Sequence, residues 1–592
     1  MTGPLLEVRK LSVRFGEGAP AVREVGLELA PGRCLALVGE SGSGKSVVAR
    51  ALLGLAGANA EVRAERLSFD GTDLRALPGR AWRRIRGRRI GFVLQDALTS
   101  LDPLRRIGHE VAEPLQIHGL AKPDELDDAV LELLSAAGIP DPDDRLLQYP
   151  HELSGGLRQR VLIASAVAAA PELIIADEPT TALDVGVQAQ ILRLLDERRA
   201  AGSAVLLISH DLAVVAGSAD EVAVLYAGVV VERGSTAELF AAPAHPYTVE
   251  LLAAAPRVDG PAEHPALAPW APPAASGCPF ATRCPLAEPR CRTALPALTE
   301  LGAGHAVRCL HPGEHRPRAR LAPPAEPPAP EGPPLLEFRA VAHEYRLPGG
   351  ARRRTVEDVS FTLARGETLG VVGESGSGKS TIARLALAHL TPAAGTVHFD
   401  GEPWSDRSER SRRPLRPRVQ LIDQDPLSAF DPRWNVGRIV AEALHRERSP
   451  EARVAALLVS VGLDPELVRR RPAQLSGGQR QRVAIARALA TEPALIVADE
   501  PVSALDVTIQ AQILELFDRV RRDTGTALLF ISHDLAVVRR LCRRVLVTRD
   551  GRVVEAGLTE RLFADPRHPY TRQLLAAVPR AAVPVSLPKG SM

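Results

Sequence analysis

The sequence predicts an α/β fold built twice: two phosphate-loop nucleotide-binding units in tandem, with a small Cys-rich segment between them. Two observations carry that reading. The octapeptide GESGSGKS stands at residues 39–46 and again, letter for letter, at 373–380. Each copy follows an apolar run and precedes a helix-like one, the strand–loop–helix setting in which G-x-x-x-x-G-K-[ST] cradles phosphates. The second observation is a repeat of the whole half. Lys45 and Lys379 lie 334 positions apart, Asp177 and Asp499 322, His210 and His533 323. Both halves close on the phrase HPYT, at residues 245–248 and 568–571. A repeat of that period places the first unit at 5–258 and the second at 335–583.

Between the units, residues 259–317 hold four of the six cysteines and little periodicity, and the Pro-rich stretch 318–334 reads as an extended spacer. With 592 residues the chain is too long for one core, and 45% hydrophobic with 24% charged residues is the composition of a globular protein. A net charge of +2 makes no electrostatic case for nucleic acid. The opening MTGPLLEVRK lacks the apolar core of a signal peptide. Runs such as 161–170 end well short of the ~20 residues a membrane span requires. The expectation is a protein at the cytoplasmic face of the membrane, touching the bilayer only through partners.

The loops dictate their own chemistry. Gly39, Ser41, Gly42 and Gly44, and in the second copy Gly373, Ser375, Gly376 and Gly378, let backbone N–H groups converge on phosphate oxygens at a helix N-terminus. Lys45 and Lys379 reach the β- and γ-phosphates. Ser46 and Ser380, the latter followed by Thr381, offer a hydroxyl to Mg²⁺. Downstream, the apolar runs LIIADEP and LIVADEP each end in two carboxylates, at the sheet edge where α/β ligands bind. Asp177 and Asp499 are placed to hold the metal, and Glu178 and Glu500 to polarise water. His210 and His533, after two further apolar strands, are placed to bond the γ-phosphate or align that water. Gln95 and Gln424 end strands from which they reach Mg²⁺ and water. The phrases LSGGLRQR and LSGGQRQR, with Ser154, Gly155, Gly156 and Ser476, Gly477, Gly478, Gln479, open two more helices as further phosphate binders.

With those phrases the chain resembles the ABC ATPases over nearly all of its length except 259–334. The resemblance implies two ABC-type domains packed head to tail around two ATP molecules. Lys45 would share one nucleotide with Ser476–Gly478, and Lys379 the other with Ser154–Gly156. It also implies that Phe15 and Tyr345 stack on adenine, against the competing reading of both as core aromatics. Leu157 departs from the family phrase where Gln479 keeps it, so the site it completes is expected to differ in kinetics while both sites remain hydrolytic.

Cys278, Cys284, Cys291 and Cys309 form the pattern C-x5-C-x6-C-x17-C in a loop-rich stretch. Intracellular clusters of this kind point to metal rather than disulfides. Spacing leaves zinc and iron–sulfur both open; His311 is a substitute ligand, and Arg283, Arg290, Arg292 and Arg308 would offset the charge. Cys34 and Cys542 read as core thiols. A Cys-rich stretch beside HPYT looks like the dipeptide and oligopeptide importer ATPases, and that likeness implies a [4Fe–4S] cluster. It also implies two transmembrane permease subunits and an extracytoplasmic peptide-binding protein as partners. Nickel import is the alternative within the family. A soluble twin ATPase acting on ribosomes or DNA is the alternative outside it, and the near-neutral charge speaks against that.

Overall fold

The computed structural model describes residues 3–95, 100–180, 183–258, 264–265, 271–302, 304–315, 320–321, 333–346, 352–445, 447–503 and 505–578. Most of the Pro-rich stretch 318–334, the chain beyond 578 and Thr181 lie outside them.

Each half holds a mainly parallel sheet whose central strands are short apolar runs, buried on both faces as crossover helices require. In the first half the order is Ile90–Val93, Leu173–Asp177, Ala204–Ile208, Cys34–Val38, Glu221–Tyr226, and then the antiparallel Val229–Ser235. In the second it is Val419–Ile422, Leu495–Asp499, Ala527–Ile531, Thr368–Val372, Arg544–Arg549 and Arg552–Leu558. The two orders correspond strand for strand. Each half adds an antiparallel sheet near its start, centred on Leu6–Phe15 and on Leu336–Arg346. Alternation of buried and exposed residues in those two strands marks sheets with one face on the core.

The Cys-rich segment is not a free-standing body. Its hairpin, Thr299–Gly302 with His305–Val307, pairs onto Val229–Ser235 and extends the first sheet to eight strands. Buried beneath it, Glu232 accepts hydrogen bonds from the Ala244 and His245 N–H groups at 2.7 and 2.9 Å and meets His305 Nε2 at 2.8 Å. Phe280 packs edge-on against Tyr226 and tilted against Tyr247. Among the described residues no helix is long and apolar enough to cross a membrane.

The expected metal centre is overturned. All four cysteines of the segment line one cavity of about 20 Å³, together with His245, His311 and Phe280. Yet among the described residues no group of three or more His, Cys, Asp or Glu side chains is placed to hold a metal ion. Instead Cys278 Sγ lies 4.0 Å from His245 Nε2, and Cys309 Sγ accepts from the His311 N–H at 3.4 Å. Burial pushes the Cys284 and Cys309 thiols up to about 11. These are free thiols packed among Phe280, Ala281, Leu286 and Leu310. Neither the [4Fe–4S] cluster nor its zinc alternative fits them, and the groups facing His311 are Glu288 at 3.8 Å and Glu314 at 3.4 Å.

Candidate active sites

The phosphate loops join the central strand of each sheet to the helices Lys45–Leu52 and Lys379–Ala386. Their glycines are required sterically. Gly39 has φ +151° and a Cβ there would stand 2.0 Å from the Leu225 carbonyl; Gly373 repeats this at φ +156° and 2.2 Å from Thr548 O. Gly44 and Gly378 cap the two helices in the left-handed region, both at φ +100°. Lys45 Nζ donates to its own loop, to Gly39 O at 2.8 Å and Glu40 O at 3.0 Å, and Lys379 does the same to Gly373 and Glu374 at 2.8 and 2.9 Å. Burial lowers both ammonium groups from the ordinary lysine value.

Around each loop the structure gathers the residues expected from the sequence. Ser46 Oγ donates to Asp177 Oδ1 at 3.1 Å, and Ser380 Oγ to Asp499 Oδ1 at 3.3 Å. Burial raises both aspartates. Gln95 Nε2 donates to Glu178 Oε2 and Gln424 Nε2 to Glu500 Oε2, each at 3.0 Å. His210 Nδ1 stands 3.4 Å from Glu178 and His533 Nδ1 3.2 Å from Glu500. Burial works to lower both imidazoles, but the neighbouring glutamate outweighs it and each ends raised. Burial likewise works to raise the Glu500 carboxyl, and His533 outweighs it and leaves that carboxyl lowered.

One feature was invisible in the sequence: Glu178 and Glu500 have φ of +51° and +48°. A glutamate there is held against its own preference. Each is fixed by its N–H, which donates to Ile208 O at 2.9 Å or Ile531 O at 3.0 Å.

The LSGG turns differ between halves. Ser476 Oγ accepts from Gln479 N at 3.3 Å, and Gln479 Oε1 accepts from Ser476 N at 3.0 Å, a reciprocal capping box. Ser154 Oγ accepts from Leu157 N at 3.4 Å, but Leu157 has no oxygen to return, and packs against the first half's core instead. Ser154, Gly155, Ser476 and Gly477 are exposed.

The halves meet through other segments. Asp506 caps the helix Val507–Thr524, and its second carboxylate oxygen accepts from the Ser41 N–H of the first loop at 3.2 Å. Reciprocally, Gly186, beside the helix cap Asp184, lies against Glu374 of the second loop, 3.7 Å separating a Cβ built there from Oε1. The helix Val507–Thr524 packs on Pro246–Ala254, and Pro569–Ala577 on Val185–Ala200. A cavity of about 170 Å³ lies between the halves, lined by Ser209, His210 and Asp211 from one and Ser532, His533 and Asp534 from the other. The expected pairing of each LSGG turn with the opposite lysine is not among the described contacts.

HPYT, the repeated ending that also marks the likeness to peptide importer ATPases, supports the loops. His245 and His568 cap their helices through Nδ1, and Tyr247 Oη accepts from Glu40 N at 2.9 Å, Tyr570 Oη from Glu374 N at 3.1 Å. Repetition and family likeness mark the phrase in the sequence, but neither assigns its residues a role at the loops. Phe15 is 37% exposed and Tyr345 half-buried beside His343, so neither is a core aromatic.

Two family models match the chain. The ABC transporter family covers residues 22–181 and 356–503, and the C-terminal region of oligopeptide/dipeptide transporters covers 231–291 and 554–590. The oligopeptide transport ATP-binding protein OppD of Mycobacterium tuberculosis is 44% identical, with 98% of each chain aligned. The peptidoglycan transport ATP-binding protein YejF of Agrobacterium fabrum is 41% identical over 97% of this chain and 96% of that one. The glutathione import ATP-binding protein GsiA of Salmonella typhimurium is 41% identical over 98% and 90%. With two cassette cores and the matching C-terminal region in each half, this chain belongs to the ABC transporter family, as an ATPase of the oligopeptide/dipeptide transporter branch with both cassettes fused in one polypeptide.

Proposed function

We propose that the chain is the energy-coupling ATPase of an importer for di- and oligopeptides, bound at the cytoplasmic face of the membrane to two separate permease subunits and served by an extracytoplasmic binding protein. The observation that carries the substrate class is the oligopeptide/dipeptide transporter region matched in both halves. The names of its relatives, which cover oligopeptides, peptidoglycan and glutathione, have amide-linked solutes in common.

In this reading each site works with the residues gathered around its loop. Lys45 and Lys379 exchange their loop carbonyls for the β- and γ-phosphates of ATP. Ser46 with Asp177 and Ser380 with Asp499 are hard oxygen donors beside a buried carboxylate, and would hold Mg²⁺ together with the phosphates and with Gln95 or Gln424. When bound, that ion would neutralise phosphate charge. Glu178 and Glu500 take the proton from a water attacking the γ-phosphorus as the bond to the ADP oxygen breaks, releasing ADP and phosphate. His210 and His533 keep those carboxylates oriented. Phe15 and Tyr345 stack on adenine. Ser154–Gly156 and Ser476–Gly478 close on the opposite nucleotide when ATP draws the halves together. The two units span 5–258 and 335–583.

The experiment is uptake of labelled di- to pentapeptides by cells with and without this chain. Loss of uptake on deletion, restored by the wild-type gene and not by a Lys45→Ala, Lys379→Ala variant, is the expected result. Unchanged peptide uptake, with loss of nickel accumulation or co-purification with ribosomes, would replace the reading.

A further inference from the structure

Glu40 lies inside the first phosphate loop, between Gly39 and Ser41. Its carboxylate Oε1 accepts from Arg283 Nη1 at 2.9 Å. Arg283 comes from the Cys-rich segment, with a side chain only 1% exposed. Its other terminal nitrogen is 3.7 Å from Glu250, and its guanidinium lies 5.2 Å from the centre of the Phe280 ring. On the far side of the same loop, Ser41 N donates to Asp506 of the second half. The run from the Cys-rich segment through the loop to the opposite half is therefore continuous. Arg283, expected to offset the charge of a metal cluster, offsets the glutamate of a phosphate loop instead.

Among the described residues the second loop, identical in sequence, has no such attachment. Glu374 N is held by Tyr570, as Glu40 N is by Tyr247. Among the described residues, however, no guanidinium forms an ion pair with the Glu374 carboxylate. A charge as deeply buried as Arg283 is tolerable only while paired, and taking its partner away is expensive. If nucleotide binding shifts the loop, Arg283 and the segment carrying it have to move with Glu40 or lose that pairing.

We propose that Arg283 is a positioning residue that ties the Cys-rich segment to the first phosphate loop alone, so that nucleotide binding at Lys45 and the packing of residues 276–293 are coupled through Glu40. The proposal rests on the reading of residues 39–46 as an ATP site. Because coupling is reciprocal, a change at either end is felt at the other. This gives the Cys-rich segment a role as a strut of one site, distinct from metal binding.

The test uses the purified full chain, with steady-state ATPase kinetics and hydrogen–deuterium exchange of residues 276–293 with and without ATP and Mg²⁺. In the wild type, nucleotide slows exchange in that segment; Lys45→Ala abolishes the slowing and Lys379→Ala leaves it. Arg283→Met is expected to abolish it too and to raise KM for ATP by about tenfold, a typical coupling, with kcat changed less than KM. Adding Glu40→Gln to Arg283→Met removes the orphaned carboxylate and restores part of the lost affinity, and Arg283→Lys falls between. An Arg283→Met variant with wild-type KM and nucleotide-dependent exchange overturns the proposal. Should Arg283→Met fail to fold, a double variant no better folded and no tighter in ATP affinity than Arg283→Lys overturns it as well. If Lys45→Ala left ATP binding and turnover untouched, the ATP-site reading itself would fall, an outcome distinct from either.

Discussion

The two phosphate loops are spelled identically, and their first contacts agree to within 0.2 Å: each lysine bonds the same two loop carbonyls, and each serine bonds the aspartate at the end of the strand next but one in the sheet. One layer out they part. The first loop's glutamate is clamped by a buried arginine that the second loop's lacks among the described residues. The capping box is complete on the second half's LSGG turn and one-sided on the first. The glutamate that bonds the HPYT backbone is fully buried in the first half, while its counterpart Glu555 is only half-buried. Identical motifs set the chemistry of a site, and the residues behind them set how stiffly it is held.

The strongest way to break this comparison is to remove the water-polarising carboxylates one at a time. Glu178→Gln and Glu500→Gln should each lower the turnover of its own site by a factor of about 10² or more for loss of a general base, leaving the measured ATPase rate to the other site. If one of them leaves turnover unchanged, the two sites are not both hydrolytic. Next in size are Tyr247→Phe and Tyr570→Phe, each leaving a loop N–H without its partner at a cost of about 1–3 kcal/mol. Chemical denaturation should give similar losses in both, and a neutral Tyr570→Phe would confine the support to the first half.

Smaller again is the pair Gln479→Leu and Leu157→Gln. The first breaks a reciprocal cap and should cost about 0.5–2 kcal/mol. The second completes a cap but gives up packing, so its melting temperature should move less. Equal and opposite shifts would mean that the two turns are interchangeable. The smallest effect concerns pH. Glu500 is lowered and His533 raised, so their ion pair contributes fully between the ordinary glutamate and histidine values, about 4.5 and 6.5. The glutamate's share is lost as pH falls through its lowered value, the histidine's as pH rises through its raised one. His533→Gln should therefore lower the melting temperature more at pH 6 than at pH 9, with a difference of about 2 °C for a single pair of this kind. A difference of the opposite sign would show that the imidazole is neutral in the folded protein.

What was legible in the sequence was local. The loop glycines, Lys45, the Asp-Glu ends of the strands and the two histidines are each fixed by a few neighbouring residues, and the repeat implies that the two halves share one strand order. Arg283 and Glu40 stand 243 positions apart, and no pattern along the chain announces that pair. The cysteines failed for the converse reason. Spacing gathered all four around one cavity, as expected, but says nothing of the last few ångströms by which sulfur atoms converge on an ion or pack as thiols. At Leu157 the departure from the family phrase was legible, but the difference the structure shows there lies in the helix cap.

The left-handed backbone at Glu178 and Glu500 has a consequence for how such a chain can change. A glycine at either position would relieve strain of about 1 kcal/mol or more and discard the carboxylate. Selection for a sturdier fold and selection for turnover thus pull these two positions in opposite directions. A library screened for thermal resistance alone should accumulate glycine there, and the variants it favours should be the ones that no longer cut ATP.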